Sequence, residues 1–132
     1  MPPIKKLVLS AGQAFGPLSG LGALDYGPLG AMRLVLGPLL HLPVAMPAPF
    51  LWELHLTVPE DLPPLQLTLL GDAAALTVPC RAGHRTEVLG AVHPQPGQET
   101  RRLSFTFGPD EVQGQIWFLG LSLLPLGTWA QP

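Results

Sequence analysis

Strict alternation of apolar and polar residues, cut at short intervals by proline and glycine, is the feature that most limits what this chain can fold into. It is clearest from Phe50 to Leu70, FLWELHLTVPEDLPPLQLTLL. Phe50, Trp52, Leu54, Leu56 and Val58 share one parity; Glu53, His55 and Thr57 share the other. After PEDLPP, Leu65, Leu67 and Leu69 alternate with Gln66 and Thr68. Successive strand side chains point to opposite faces, so each run makes one apolar and one mostly polar face. The expectation is a hairpin-like pair of strands at the first ordered edge of a β-sandwich. Its apolar face is expected to meet Leu103, Phe105 and Phe107, and Glu53, His55, Thr57, Gln66 and Thr68 are expected to face solvent.

The rest of the chain carries the same punctuation. Ile4–Ser10 and Ala31–Leu36 read as strands, while Leu18–Tyr26 reads at most as a weak helical turn, because Gly20 and Gly22 oppose a helix. Gly-Pro-Leu recurs at residues 16–18, 27–29 and 37–39, and is read as coincidence in a chain this rich in those residues. Prolines between His41 and Pro49 favour extended backbone. Beyond the opening pair, strands are expected over Ala73–Val78, Thr86–Val92, Arg101–Phe107 and Val112–Leu124. The last is apolar on both faces after Ile116, as a central or covered strand would be. Leu-Thr-Val-Pro closes two of the strands, at Leu56–Pro59 and Leu76–Pro79, where proline blocks further pairing.

No helical crossover separates these strands, which excludes parallel βαβ units. The expected fold is therefore all-β: an antiparallel β-sandwich, jelly-roll-like, or a small barrel of about six to eight strands. The division expected is an extended Gly/Pro-rich N-terminal arm over residues 1–49, with one or two short strands, followed by a β-sandwich core over residues 50–132.

Composition narrows the function classes. Charged residues are only 12 % of the chain, about half the usual share, and net charge is −2, so the basic stripe of a nucleic-acid partner is missing. The single cysteine, Cys80, excludes an intrachain disulfide. Lys5 and Lys6 precede an apolar run too short for a signal peptide, so synthesis in the cytoplasm without export is expected. Three charge-free windows, Leu7–Leu24, Leu34–Trp52 and Val112–Pro132, are broken by Gly or Pro or fall short of the ~20 residues of a spanning helix. The chain has no Asn and many loop prolines, which suits a thermophile, while its Gln content does not.

No motif points to catalysis. Ser10, Ser19, Ser104 and Ser122 lack the G-x-S-x-G setting. Cys80-x-x-x-His84, with His93, lacks the fourth ligand and second cysteine pair of structural zinc, and the chain has no local signature for a thiol–imidazole pair using His84, His55 or His93. The acidic turns Glu60-Asp61 and Asp110-Glu111 read as ordinary polar turns unless the fold brings all four carboxylates together for Ca²⁺. No catalytic residue, metal or cofactor is therefore assigned.

The aromatic and aliphatic surplus carries the functional expectation. Trp117 shares a parity with Leu119, Leu121 and Leu123, opposite Ile116 and Phe118, and Trp129 lies near the C-terminus. Tyr26, Leu39, Leu40, Trp117, Leu119, Leu121, Leu123 and Trp129 are the expected interface residues. Large exposed apolar area is rare on a soluble monomer, and interfaces are depleted in charge. The leading expectation is a non-enzymatic structural protein that packs with copies of itself or with other structural subunits, as a virion, capsid or phage-particle component assembled in the cytoplasm. It carries with it no nucleic-acid contact through a basic patch and no small-molecule substrate; peripheral membrane contact stays open. The alternative is a ligand- or carbohydrate-binding β-sandwich module using Trp117, Trp129 or Tyr26.

Overall fold

The structure is a computed structural model, and it describes residues 7–13, 15–16, 19–44, 49–69, 75–92 and 102–125. Among these lie ten strands: β1 (Leu7–Ser10), β2 (Leu21–Gly27), β3 (Gly30–Val35), β4 (Leu39–Pro43), β5 (Phe50–Thr57), β6 (Leu65–Leu69), β7 (Leu76–Val78), β8 (Thr86–Val92), β9 (Arg102–Gly108) and β10 (Trp117–Pro125). They form two antiparallel sheets. The larger runs β2-β3-β10-β5-β8, with β1 also paired to β10; the smaller runs β4-β9-β6-β7. The expected all-β antiparallel sandwich is what the chain forms, with more strands than the six to eight expected. Four of them, β1–β4, come from residues before Phe50, where one or two were expected. No helix among the described residues is long and apolar enough to cross a membrane.

Inward side chains of the two sheets meet in one core. Phe50, Leu54 and Leu56 of β5, Leu65 and Leu67 of β6 and Phe105 of β9 are wholly buried. The Trp52 indole lies edge-on to Phe105, ring centroids 5.0 Å apart, so β5 and β9 meet across the sandwich as the alternation implied. At one end Arg33 donates to the carbonyls of Ala11 (2.8 Å), Gly22 (2.9 Å) and Gln13 (3.0 Å) and stands over the Phe15 ring. That clamp seats Phe15 edge-on against Phe118, closing the core with a charge-satisfied lid.

Several local expectations change. β5 and β6 do not pair with each other; they sit in different sheets and face one another across the core. β5 is also no edge, since β10 and β8 flank it. Alternation tells which face is buried but not which strand lies alongside, and the proline-rich Val58–Pro64 connection spans the sandwich instead of turning back on itself. The polar residues once grouped as one outer face therefore lie on opposite sides of the molecule, and His55 and Thr57 are buried. Leu21–Gly27 is a strand, not a helical turn, because it pairs with β3 around Gly27–Gly30, where Gly30 takes a φ of +102°. Two of the Gly-Pro-Leu copies mark connections, between β2 and β3 and between β3 and β4.

The final strand is shorter than its sequence pattern. Residues Asp110–Val112 form a one-turn 3-10 helix, and Gly114 at φ +78° turns the chain before Trp117. The register of β10 against β5 then slips between Phe118 and Gly120. That bulge is what decides where Trp117 points.

Candidate functional site

A one-residue slip reverses the side of every residue beyond it. Up to Phe118 the even-numbered side chains of β10 point inward; after the slip Leu121 and Leu123 do, both wholly buried. Trp117 therefore does not share a face with Leu121 and Leu123, as simple parity implied. It stands on the outward face of the larger sheet, half-buried.

Register arranges that outward face in rows. Leu34, Trp117 and Thr57 lie side by side on β3, β10 and β5. Next come Gly120, His55 and Glu87; then Ser122, Glu53 and Leu89; then Leu124, Leu51 and Ala91. The face thus passes from an aromatic end through a charged middle to an aliphatic end.

At the aromatic end, three connections converge around Trp117. Pro28 and Leu29 come from the β2–β3 turn, Val58 and Pro59 from the end of β5, and Gly83 from the β7–β8 connection; with Met32 and Thr57 they line a cleft of about 180 Å³. Local hydrogen bonds hold it in place. The Gly83 N–H donates to the Val58 carbonyl (2.9 Å), and the Thr57 hydroxyl donates to the His84 carbonyl (2.9 Å). Ala82 bridges to Val58 and donates its N–H to Asp61 Oδ1 (3.0 Å). Proline at residues 28 and 59 stiffens two of the three walls, so the cleft is largely preformed.

In the middle, His55 Nε2 stands 2.8 Å from Glu53 Oε1, and Arg85 Nε donates to His55 Nδ1 at 3.2 Å. Nδ1 therefore accepts, which puts the ring proton on Nε2, aimed at Glu53. Glu87 Oε1 lies 3.8 Å from Nδ1. Glu53, His55 and Glu87 are the metal-competent group among the described residues, with donor atoms within 4.8 Å of one another. Both ring nitrogens already have protein partners, so the cluster is complete as a hydrogen-bond network. At the aliphatic end Leu51, Trp52, Glu53, Leu89, Ser122 and Leu124 line a smaller pocket of about 130 Å³.

The remaining candidates scatter. Tyr26 is 72 % exposed near the end of β2, and Leu39 is exposed on β4, in the other sheet. Leu40, Leu121 and Leu123 are core residues and Leu119 is buried at the bulge, so the seven described candidates do not form one surface. Trp129 lies outside the described residues, as does His93. Cys80 is buried, its Sγ 3.8 Å from the Val78 carbonyl, and loss of solvent pushes its thiol up, opposed by a hydrogen bond with Thr86. His84 is exposed, and the acidic turns are absent from the metal-competent group among the described residues. Sequence reasoning missed Pro28, Leu29, Met32, Val58, Pro59 and Gly83, whose signal lay only in the Gly-Pro-Leu and Val-Pro turns.

No family model matches the sequence, and no curated protein does. Solved structures do match the fold. A family 35 carbohydrate binding module from Clostridium thermocellum aligns with a TM-score of 0.60 at 11 % identity, over 93 % of this chain and 100 % of that one. The C-terminal CBM6 of LamC, a marine laminarinase from Zobellia galactanivorans, aligns with a TM-score of 0.58 at 14 % identity, over 91 % and 99 %. The carbohydrate binding module CBM6cm-2 of Cellvibrio mixtus lichenase 5A, in complex with cellotriose, aligns with a TM-score of 0.53 at 12 % identity, over 92 % and 98 %. The expectation of a virion component rested on likeness of architecture alone, and these matches overturn it, together with its structural-subunit partners and its exclusion of a small-molecule ligand. Its physical premise fails too, since Leu40, Leu121 and Leu123, taken as surplus apolar surface, are core. What the chain shares with these carbohydrate-binding modules is a fold.

Proposed function

We propose that this chain is a non-catalytic carbohydrate-binding β-sandwich module that holds a sugar ring against Trp117. The observation that carries the proposal is the half-buried indole set in a preformed cleft of about 180 Å³, on a fold shared with carbohydrate-binding modules. A pyranose ring presents polarised C–H groups on its faces, and these sit well against the negative face of an aromatic ring. The cleft is smaller than the ~300 Å³ at which pockets for drug-sized molecules begin, so it suits about one ring of a longer chain. None of the lining residues carries a carboxyl or imidazole group, whereas glycoside hydrolysis needs a positioned carboxyl pair. That absence from the lining favours holding over cleaving.

The test is titration of soluble β-glucan, xylan and galactan oligosaccharides, followed by tryptophan fluorescence and by calorimetry. The intact chain is expected to respond, and Trp117→Ala to bind at least tenfold more weakly, about 1.4 kcal/mol, while Trp117→Phe retains part of the affinity. Binding unchanged in Trp117→Ala would move the site elsewhere; no response to any glycan would remove the reading.

A further inference from the structure

Resting on that reading, we infer that the Trp117 cleft selects neutral sugars and rejects uronates and other acidic sugars. The inference comes from the donors and charges the cleft offers. Its lining is Pro28, Leu29, Met32, Thr57, Val58, Pro59, Gly83 and Trp117, with no cationic side chain. Two donors of the lining residues are already committed, the Thr57 hydroxyl to the His84 carbonyl and the Gly83 N–H to the Val58 carbonyl, each at 2.9 Å. The Trp117 indole N–H is left as the lining's other side-chain donor.

An ionised carboxylate only accepts hydrogen bonds and has about four lone-pair sites to satisfy. Moving it from water onto this lining would exchange those bonds for one neutral side-chain N–H and a mostly apolar wall, with no opposite charge to offset the loss. A neutral sugar meets no such penalty. Its hydroxyls donate as well as accept, so they pair with the unused lone pairs of Thr57 Oγ1 and with the Trp117 N–H, and its C–H face lies on the indole. Arg33, next to Met32 in the chain, donates to the carbonyls of Ala11, Gly22 and Gln13 and does not line the cleft; neither do Arg81 and Arg85, and Arg85 is held by His55. The selectivity thus belongs to the lining itself, and charge, not ring shape, is what it reads.

Three-member ligand sets isolate charge at constant shape: a neutral oligosaccharide, its C6-oxidised uronate form, and the methyl ester of that uronate, in both gluco and galacto configuration. Binding of each is measured by calorimetry at pH 7. The expected result, in the configuration that binds, is that neutral sugar and methyl ester bind within about threefold of each other and the free uronate at least tenfold more weakly. Leu29→Arg, which adds a cation to the lining, is expected to raise uronate affinity at least tenfold relative to that of the neutral sugar. Uronate binding equal to or tighter than its ester, with loss in Trp117→Ala, would overturn the selectivity while leaving the carbohydrate-binding reading in place. Failure of every neutral sugar to bind would remove both.

Discussion

The two sheets present unlike faces to solvent, although both were built by the same alternation. The smaller sheet turns outward His41, Gln66, Thr68, Thr77, Ser104 and Thr106, and pairs them with one another: His41 Nδ1 lies 2.6 Å from Ser104 Oγ, Thr77 donates to Gln66 (3.3 Å) and Thr106 to the Thr68 carbonyl (3.5 Å). It is an ordinary solvated face whose polar groups satisfy each other. The larger sheet turns outward Trp117, Leu51, Leu89 and Leu124, and gathers its charge into one cluster around His55. Alternation alone makes a face that is merely polar; a face that departs from it, with an aromatic in a cleft, is where binding is to be sought.

If the sheets differ only on their outward sides, their inward sides should cost alike to damage. Phe105→Ala in the smaller sheet and Phe118→Ala in the larger each remove a wholly buried ring, and each is expected to destabilise by about 3–5 kcal/mol. Urea denaturation followed by tryptophan fluorescence measures both. A loss under about 1 kcal/mol at either position would mean that the shared core is not arranged as described.

A second pair separates the sheets by one atom. On Gly90 of β8 an added Cβ would overlap the Trp52 indole, whereas on Gly108 of β9 it would meet only Gln66 Cβ, at an ordinary 3.9 Å. Gly90→Ala is expected to cost about 1–3 kcal/mol by overpacking, and Gly108→Ala less than about 0.5 kcal/mol. Equal thermal midpoints for the two would break the contrast. The Trp52 ring is buried and lies edge-on to Phe105, centroids 5.0 Å apart, so moving it away from Gly90 disturbs a packed aromatic pair.

How much of this was legible beforehand follows from what each signal encodes. The parity of Phe50, Trp52, Leu54 and Leu56 correctly placed them in the core, because burial is a local property of a strand face. Their neighbours were not legible: nothing local in Phe50–Leu70 says that β5 pairs with β10 and β8 instead of β6. Trp117 was singled out, but on the wrong face-sharing, since a bulge at Leu119 leaves no mark in a run of apolar residues. The cleft around it escaped altogether. Its walls come from residues 28–32, 57–59 and 83, which only the tertiary fold brings together. Leu21–Gly27 misled in the other direction, its glycines arguing against a helix without revealing a strand, until pairing with β3 overrode weak propensity.

The outward faces themselves can be set against each other. His55→Ala in the larger sheet leaves Glu53 and Arg85 without the imidazole that both contact, and is expected to cost about 1.5–3 kcal/mol, the range for hydrogen bonds to charged groups. Ser104→Ala in the smaller sheet removes one neutral partner from His41, for about 0.5–1.5 kcal/mol. Ser104→Ala should also leave glycan affinity unchanged, because it lies on the opposite side of the molecule from Trp117. Weakened binding in Ser104→Ala, at preserved stability, would put the ligand on the wrong sheet for the proposed site.

The smallest effect tests the aliphatic end. Leu89 is 66 % exposed on β8, outward, one row from His55 and two from Trp117. Leu89→Thr introduces a strand-compatible, β-branched residue while removing an apolar side chain from an exposed position. Stability is expected to move by no more than about 0.5 kcal/mol, and glycan affinity not at all, since Leu89 does not line the Trp117 cleft. A loss above about 1 kcal/mol is more than an uncovered surface leucine can explain. It would show that this end of the face is covered in solution.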